Sequence, residues 1–430
     1  MKPQINITNN PPRSSWEELL QRPAIDADYL DQAVEDIFFA VKRKGDQALR
    51  DFTRTFDGVQ LEELQVPTAD IEKSGSLVSP ELQKAIQNAA ENIRKFHAAQ
   101  RCEPVKLETS PGVLCWQKPV PIQKVGLYIP GGSAPLFSSV LMLAIPAQIA
   151  GCREVVLCTP PGKDGKVNPA ILYAAKISGV TSIYTVGGAQ AIAAMAFGTE
   201  SIPVVNKIFG PGNQFVTAAK QAVQKLGIAI DLPAGPSEVL VMADETANAP
   251  FVASDLLSQA EHGPDSQVIL LSTDEKLARD TISEMARQLE LLPRKELIEQ
   301  SLESCKIIVM EDTKEMVEMV NEYAPEHLII AMKNKDEIAE AIVNAGSVFL
   351  GNFTPESAGD YASGTNHTLP TNGFAKAYSG VNLDSFVKKI TFQEITPSGL
   401  KGLGETLLQM SEAENLQAHK LAVSVRLESM

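Results

Sequence analysis

Short apolar runs recur through the middle of the chain, and most of them end in a turn that contains glycine. Runs that are apolar throughout are typical of strands buried on both faces of a parallel sheet. The predicted strands of the first group are Val125–Ile129, Glu154–Cys158, Ser182–Val186 and Val204–Phe209. The predicted helices between and after them are Ser139–Ala150, 168–177, an alanine-rich helix that ends at Phe197, and 213–226. This alternation of strand, turn and helix indicates βαβ units.

A second group of strands and helices follows Ser237. The predicted strands are Val239–Met242, Gln267–Leu271, Lys306–Met310, His327–Ala331 and Val348–Leu350. The predicted helices are one that opens at Asn248–Pro250 and ends at Gly263, then 274–303, 313–323 and Lys335–Asn344. The pattern predicts a second α/β unit, followed by a glycine-rich loop over 351–380.

The two ends of the chain lack this alternation. Residues 1–24 are polar, with one short helix predicted at Trp16–Leu20, and 28–56 and 80–100 are predicted amphipathic helices. Residues 384–428 are predicted to be helical. The chain is therefore predicted to be an α/β protein. Its predicted architecture is two Rossmann-like, incomplete parallel-sheet domains with a helical N-terminal segment and a helical C-terminal tail.

Composition narrows the possible partners and compartment. The 430 residues include 38 Lys and Arg against 53 Asp and Glu, a net charge of −15, which argues against nucleic acid or an anionic membrane as partner. No apolar run is long enough to span a membrane, and the N-terminus has no apolar signal region. Five cysteines without a CxxC pair indicate reduced thiols. A cytoplasmic location is predicted.

Three glycine turns lie where a nucleotide could bind, although the chain has neither GxGxxG nor GxxxxGK[ST]. They are Tyr128–Gly132, Gly187–Gln190 and Phe209–Asn213. Each follows a predicted strand and precedes a helix, whose first N–H groups can contact a pyrophosphate. Any single one could be an ordinary strand-to-helix turn, but three in one unit favour a nucleotide site. Tyr128, Gln190 and Asn213 lie in or beside these turns and are placed to touch a ribose or base.

Two polar groups lie at predicted element ends. Gln259 and His262 are three residues apart, so they share one face of the last turn of a helix. They could bind a metal or a substrate with polar nitrogen groups, or His262 could simply bond the carbonyls of its own helix. Glu326 and His327 precede a strand and offer two proton acceptors of different basicity, unless they are an ordinary helix-end acid and a core histidine.

Two further groups lie near the C-terminus. Small residues surround Asp360 and His367, so a ligand can approach closely. His419 shares a helical face with Leu416 and Val423 and is predicted to point inward, where a satisfied core histidine is the alternative. The N/O set that suits zinc consists of Gln259, His262, Asp360 and His419.

Six stretches of the chain resemble the motifs of the histidinol dehydrogenase family. They are Val125–Leu136, Phe209–Asn213, Asp231–Glu238, Ser258–Pro264, Pro325–Leu328 and Ser357–His367. The resemblance extends from about residue 15 to the C-terminus. It implies oxidation of L-histidinol to L-histidine through L-histidinaldehyde with two NAD, the last step of histidine biosynthesis. Two other functions explain less of the sequence. A zinc hydrolase would have no use for the glycine turns, and a non-catalytic metal-binding protein would not need Glu326 and His327.

The resemblance also implies roles for single residues. Glu326 and His327 would be the catalytic acid–base pair, and Tyr128, Gln190 and Asn213 would contact NAD. The implied zinc ligands are Gln259, His262, Asp360 and His419. The implied substrate contacts are Ser237, Gln259, His262, His327, Asp360, His367, Glu414 and His419. The implied domains are an N-terminal segment over 1–24, a catalytic domain over 25–127 plus 239–380, an NAD-binding domain over 128–238, and a tail over 381–430. That tail would reach the partner's active site in a homodimer.

Overall fold

The computed structural model describes residues 5–22, 27–131, 135–233 and 235–430. Part of the first glycine turn, Gly132 and Ser133, lies outside the described residues, as does Ala234. The described strands are β1 (Ile7–Asn9), β2 (Val105–Ser110), β3 (Val113–Pro121), β4 (Lys124–Tyr128), β5 (Glu154–Thr159), β6 (Ser182–Thr185), β7 (Lys207–Phe209), β8 (Ala229–Ile230), β9 (Glu238–Ala243), β10 (Gln267–Ser272), β11 (Lys306–Val309), β12 (His327–Ala331), β13 (Ser347–Leu350) and β14 (Val387–Ile395).

Helices connect most of these strands. They are α1 (Trp16–Leu19), α2 (Ala27–Lys44), α3 (Asp46–Phe52), α4 (Thr68–Lys73), α5 (Pro80–Ala98), α6 (Phe137–Ala150), α7 (Pro169–Ser178), α8 (Gly188–Phe197), α9 (Gln214–Gln224), α10 (Ala249–Ala260), α11 (Glu275–Leu289), α12 (Lys295–Leu302), α13 (Thr313–Tyr323), α14 (Lys335–Ala341), α15 (Glu356–Tyr361), α16 (Pro397–Ala413) and α17 (Gln417–Glu428). Among the described residues, none of the helices is both long and apolar enough to cross a membrane.

Two parallel sheets form the body of the structure. One has the strand order β1-β11-β10-β9-β12-β13 and the other has the order β6-β5-β4-β7-β8. Every strand pair in both sheets is parallel. The predicted fold class is confirmed. The N-terminal segment adds a strand that was not predicted, because Ile7–Asn9 pairs along β11 at the edge of the larger sheet.

Helices cover both faces of the six-stranded sheet. Along β9, Val239 and Val241 pack with α10, α11 and α12, whereas Leu240 and Met242 face the side covered by α1 and α13. This division follows from the period of two along a strand. Because both faces are buried, the strands are apolar throughout, which explains the runs seen in the sequence.

The N-terminal helices pack on the five-stranded sheet. Residues of α2 and α3 share a core with α8 and α9, and residues of α5 share the opposite core with α6 and α7. β4 also belongs to this sheet. The division into domains stays a prediction, but this packing favours placing residues 27–128 with the five-stranded sheet rather than with 239–380.

The predicted helix over 384–428 is wrong in its first part. Residues 387–395 form β14, which pairs antiparallel with β3 from Val387 opposite Pro121 to Ile395 opposite Val113. Phe392 stacks on Trp116 across this pair, with ring centroids 5.2 Å apart. The helices of the tail begin only after Thr396, whose hydroxyl caps α16. Contacts with a distant strand thus decided the structure of this segment.

Two predicted helices are each interrupted, and one short helix was not predicted. Gly45, with φ of 51°, separates α2 from α3 within the predicted helix 28–56. Residues 290–294, which include Pro293, separate α11 from α12 within the predicted helix 274–303. The predicted loop over 351–380 contains α15, a helix of 6 residues that supplies two carboxylates to the site described below.

Phe386, which lies directly before β14, packs this part of the chain against the five-stranded sheet. Its ring is fully buried and stacks on Phe209 of β7 with centroids 4.1 Å apart. Phe386→Ala is expected to lower the free energy of unfolding by about 3–5 kcal/mol, because it leaves a cavity that the sheet cannot fill. Phe39→Ala, at a residue that is 67% exposed, should change it by less than about 0.5 kcal/mol. Equal losses in urea unfolding would contradict this packing.

Candidate active site

The candidate site lies where β9 and β12 begin, at the amino ends of the six-stranded sheet. Glu326 and His327 stand at the start of β12, and Glu238 is the first residue of β9. The helix that follows β9 returns to the same edge, so Gln259 at its end and His262 just beyond it join them. The side chain of Asn248 and the proline at position 250 set the start of that helix.

His327 is held as a neutral imidazole with one free nitrogen. Its Nδ1 lies 3.0 Å from the carbonyl oxygen of Glu238, and because a carbonyl only accepts, Nδ1 carries the proton. Its Nε2 is buried and has no hydrogen-bond partner. Burial lowers the pKa of His327 to about 3. The free Nε2 lone pair is therefore available to take a proton from a bound molecule.

Glu326, like His327, is hydrogen-bonded to the main chain of Glu238. Its Oε2 accepts a hydrogen bond from the backbone N–H of Glu238 at 2.8 Å and lies 3.6 Å from Nδ1 of His327. Burial, followed by the charges of Glu238 and Asp360, raises the pKa of Glu326 well above its ordinary value. A carboxyl of this kind can hold a proton near neutral pH and return it.

Three side chains near this pair could hold a metal ion. His262, Glu356 and Asp360 each offer a ligand atom, and these atoms all lie within 4.8 Å of one another. Glu356 was not predicted. Its spacing of four residues from Asp360 is the signal that could have found it, because such residues share one face of a helix.

Glu356 also orients Gln259. Gln259 is fully buried, and its carboxamide nitrogen donates to the Glu356 carboxylate. Its oxygen accepts from the backbone N–H of Glu238 at 3.2 Å. The carboxamide is therefore held beside the potential metal ligands.

The ionisable groups of this cluster favour their neutral forms in the absence of a cation. Burial raises the pKa of Glu356 well above its ordinary value, and burial raises the pKa of Asp360 to about 6. Burial also lowers the pKa of His262, which favours the neutral imidazole that a metal requires. A buried carboxyl group, a half-buried one, a neutral imidazole and an amide are an N/O set that suits zinc.

His367 connects this site to the other sheet. Its Nδ1 donates to the carbonyl oxygen of Asp360 at 2.9 Å, and its Nε2 accepts from the hydroxyl of Ser139 at 3.0 Å. Ser139 lies in the first turn of α6, directly beyond β4 of the five-stranded sheet. Burial lowers the pKa of His367 to about 4. Sequence reasoning missed Ser139, because its partner lies 228 positions away.

The remaining predicted site residues are less directly placed. Ser237 lies directly before Glu238, is partly buried, and its carbonyl accepts from the N–H of Gln267. Glu414 and His419 are exposed on the tail. The inward orientation predicted for His419 is wrong within this chain, because no residue of α17 is buried and Leu416 on the same face is 42% exposed.

The glycine turns lie at the carboxyl ends of the five-stranded sheet. The phenol oxygen of Tyr128 accepts from the N–H of Gly188 at 3.1 Å, which joins the first turn to the second, and burial raises the pKa of Tyr128 to about 12. Gln190 is 2% exposed within α8, and Asn213 caps α9. A Cβ on Gly210 would lie 2.0 Å from the carbonyl oxygen of Tyr128, so the third turn needs glycine there. The predicted contacts of these residues with NAD stay predictions.

The chain is similar to known proteins over nearly its full length. A family model described as histidinol dehydrogenase matches residues 20–427. A histidinol dehydrogenase of Bacteroides fragilis is 60% identical over 426 residues, which is 99% of this chain and 100% of that protein. One of Aliivibrio fischeri is 51% identical, covering 97% and 95%. A crystal structure of histidinol dehydrogenase from Elizabethkingia anophelis matches with a TM-score of 0.96 and 56% identity, covering 99% and 98%.

Metal binding at Asp360 is expected to release a proton at low pH. Below its pKa of about 6, Asp360 is protonated in the metal-free protein and must lose that proton to bind a cation. The affinity for Zn²⁺ should therefore rise by up to about tenfold per pH unit below pH 6 and level off above it. Calorimetric titration in two buffers of different ionisation enthalpy measures both the affinity for Zn²⁺ and the number of protons released. Affinity that is constant between pH 5 and 8, or equal pH dependence in Asp360→Asn, would contradict this.

Proposed function

The chain belongs to the histidinol dehydrogenase family, and from that premise we propose how its residues carry out the oxidation of L-histidinol to L-histidine. The reaction has two NAD-dependent steps with L-histidinaldehyde between them. One observation supports the assignment most strongly. The paired Glu326 and His327 are both bound to the main chain of Glu238, and a group of potential metal ligands lies beside them.

His327 is the base for each hydride transfer. A hydride leaves the substrate carbon only as its hydroxyl loses a proton, so a proton acceptor must face that hydroxyl. Nε2 of His327 is buried and unpartnered, and its tautomer is set by Glu238. The lowered pKa keeps the imidazole of His327 neutral at physiological pH, with the Nε2 lone pair unprotonated.

Glu326 activates the water that converts the aldehyde into its hydrate. That step needs a base of its own, because the hydrate must form before a second hydride can leave. The raised pKa of Glu326 makes its carboxylate more basic than an exposed glutamate. Its Oε2 lies 3.6 Å from the His327 imidazole, so both groups serve the same carbon.

The metal is zinc, one per subunit, held by Gln259, His262, Asp360 and the partner subunit's His419. When bound, it would orient the amino and imidazole nitrogens of the substrate, and the alcohol proton is left to His327. Glu356 is placed to orient the carboxamide of Gln259. Ser237, His367 and Glu414 complete the contacts with the substrate.

NAD would bind at the glycine turns of the five-stranded sheet and would supply the hydride acceptor. The turns precede the N-termini of helices, which favour the negative pyrophosphate. Tyr128, Gln190 and Asn213 would contact the nucleotide. The hydrogen bond between Ser139 and His367 joins the first turn of α6 to the substrate site.

The protein functions as a homodimer in which the tail of each chain completes the other's site. Exposed apolar side chains on the tail support this: Met410, Leu416, Leu421 and Val425 are 42–60% exposed. A helix with no buried residue is not stable by propensity alone, so α17 needs a partner surface. The acidic surface and the reduced thiols support a cytoplasmic location, without nucleic acid or membrane as partner.

Substitutions should separate the two bases. His327→Asn is expected to slow both oxidations by about 10²–10⁴-fold, because each hydride transfer needs its proton acceptor. Glu326→Gln should mainly slow the oxidation of supplied histidinaldehyde, because hydration loses its base. NADH absorbance in stopped flow measures both steps, with Glu318→Gln on the exposed face of α13 as control. A Glu326→Gln variant that oxidises the aldehyde at the normal rate would overturn the role given to Glu326.

Mixing two inactive variants should show whether the tail acts on its partner. His262→Ala and His419→Ala are unfolded, combined in equal amounts and refolded. If the tail acts in trans, each mixed dimer has one site with both lesions and one with neither. Random pairing makes about half of the dimers mixed, so about a quarter of all sites recover activity. No recovery, with mixed dimers confirmed by mass, would contradict a shared site.

A further inference from the structure

Arg22 reaches from the N-terminal segment to the first residue of β9. Its Nε lies 2.5 Å from Oε1 of Glu238 and its Nη2 lies 3.0 Å from Oε2, so both carboxylate oxygens are engaged. Nη2 also donates to the carbonyl oxygen of Tyr323 at 2.8 Å. The guanidinium covers the ring of Tyr323 at 3.9 Å from its centroid. The two side chains of the ion pair are 20% and 2% exposed.

Glu238 is the residue that binds both members of the acid–base pair. Its N–H donates to Glu326 at 2.8 Å and its carbonyl accepts from His327 at 3.0 Å. Its side chain is fixed by Arg22 and by the N–H of Asn372, which donates to Oε1 at 2.9 Å. The side chain of Glu238 therefore anchors the peptide groups that orient the pair.

We propose that Arg22 is a positioning residue for Glu326 and His327, acting through Glu238. The inference rests on the proposed function, because it takes these two residues as the acid–base pair. Removing Arg22 leaves a buried carboxylate with one remaining partner, and such a group moves towards water or takes up a proton. Either change shifts the peptide groups of Glu238 and, with them, the carboxyl of Glu326 and the imidazole of His327.

The geometry of the contact requires arginine rather than any cation. A guanidinium donates two parallel hydrogen bonds to one carboxylate and stacks on an aromatic ring at the same time. The ammonium of a lysine here would keep the positive charge but would fix the direction of only one hydrogen bond. Arg22→Lys should therefore retain most of the stability of the site but only part of its geometry.

The test compares Arg22→Ala and Arg22→Lys with Arg13→Ala. Arg13 lies in the same N-terminal segment and pairs with Glu318 at 2.6 Å, but those side chains are 70% and 51% exposed. Arg22→Ala is expected to lower kcat about 10- to 100-fold, as misplacement of a catalytic group by about 1 Å does, with KM for histidinol changed less than about twofold. Both oxidations should slow, unlike in Glu326→Gln. Arg13→Ala should match the unmodified protein.

Rescue of Arg22→Ala by free guanidinium distinguishes a positioning role of Arg22 from a role in folding. Guanidinium, far below concentrations that unfold proteins, should restore part of the kcat of Arg22→Ala and leave Arg13→Ala unchanged. If Arg22→Ala does not fold, Arg22→Lys decides the question. A lower kcat at unchanged KM and melting temperature supports the proposal, and an unchanged kcat overturns it. If His327→Asn remains fully active, the proposed function fails, whatever Arg22 does.

Discussion

The parallel pairing of β12 with β9 is the constraint on which the site depends. His327 lies opposite Val239 in this register, so Glu326 and Glu238 meet where both strands begin. The N–H and carbonyl of Glu238 then bind the carboxylate of Glu326 and the imidazole of His327. A slip of one residue would turn these side chains to the opposite faces of the sheet. Glu326 and His327, the proposed acid–base pair, are thus positioned by the backbone of a rigid sheet.

The electrostatics of the site follow from burying that pair. Burial raises the pKa values of Glu326, Glu356 and Asp360 and lowers that of His327. Arg22 compensates the charge of Glu238. Glu356 and Asp360 each lie 3.8 Å from a nitrogen of His327, whose lowered pKa leaves that imidazole neutral. Their charge is therefore removed by protonation, or balanced by a cation or by a substrate with a positive nitrogen.

Sequence reasoning succeeded where the determining contacts are local. The parallel strands were predictable because burial on both faces makes them apolar throughout. β14 was missed because its partner β3 lies more than 260 positions away in the chain and its own pattern does not distinguish strand from helix. Arg22 and Ser139 were missed for the same reason, since they meet Glu238 and His367 only after folding.

The proposed substrate site and the proposed cofactor site lie at opposite strand ends of two different sheets. The acid–base pair stands at the amino ends of the six-stranded sheet, and the glycine turns follow the carboxyl ends of the five-stranded sheet. Two hydrides must leave the same carbon in succession, so the oxidised cofactor must be renewed while the aldehyde stays in place. In the proposed function the substrate and cofactor contacts belong to different sheets, so one ligand could exchange while the other remains bound. The hydrogen bond between Ser139 and His367 links the two sheets beside the proposed substrate site.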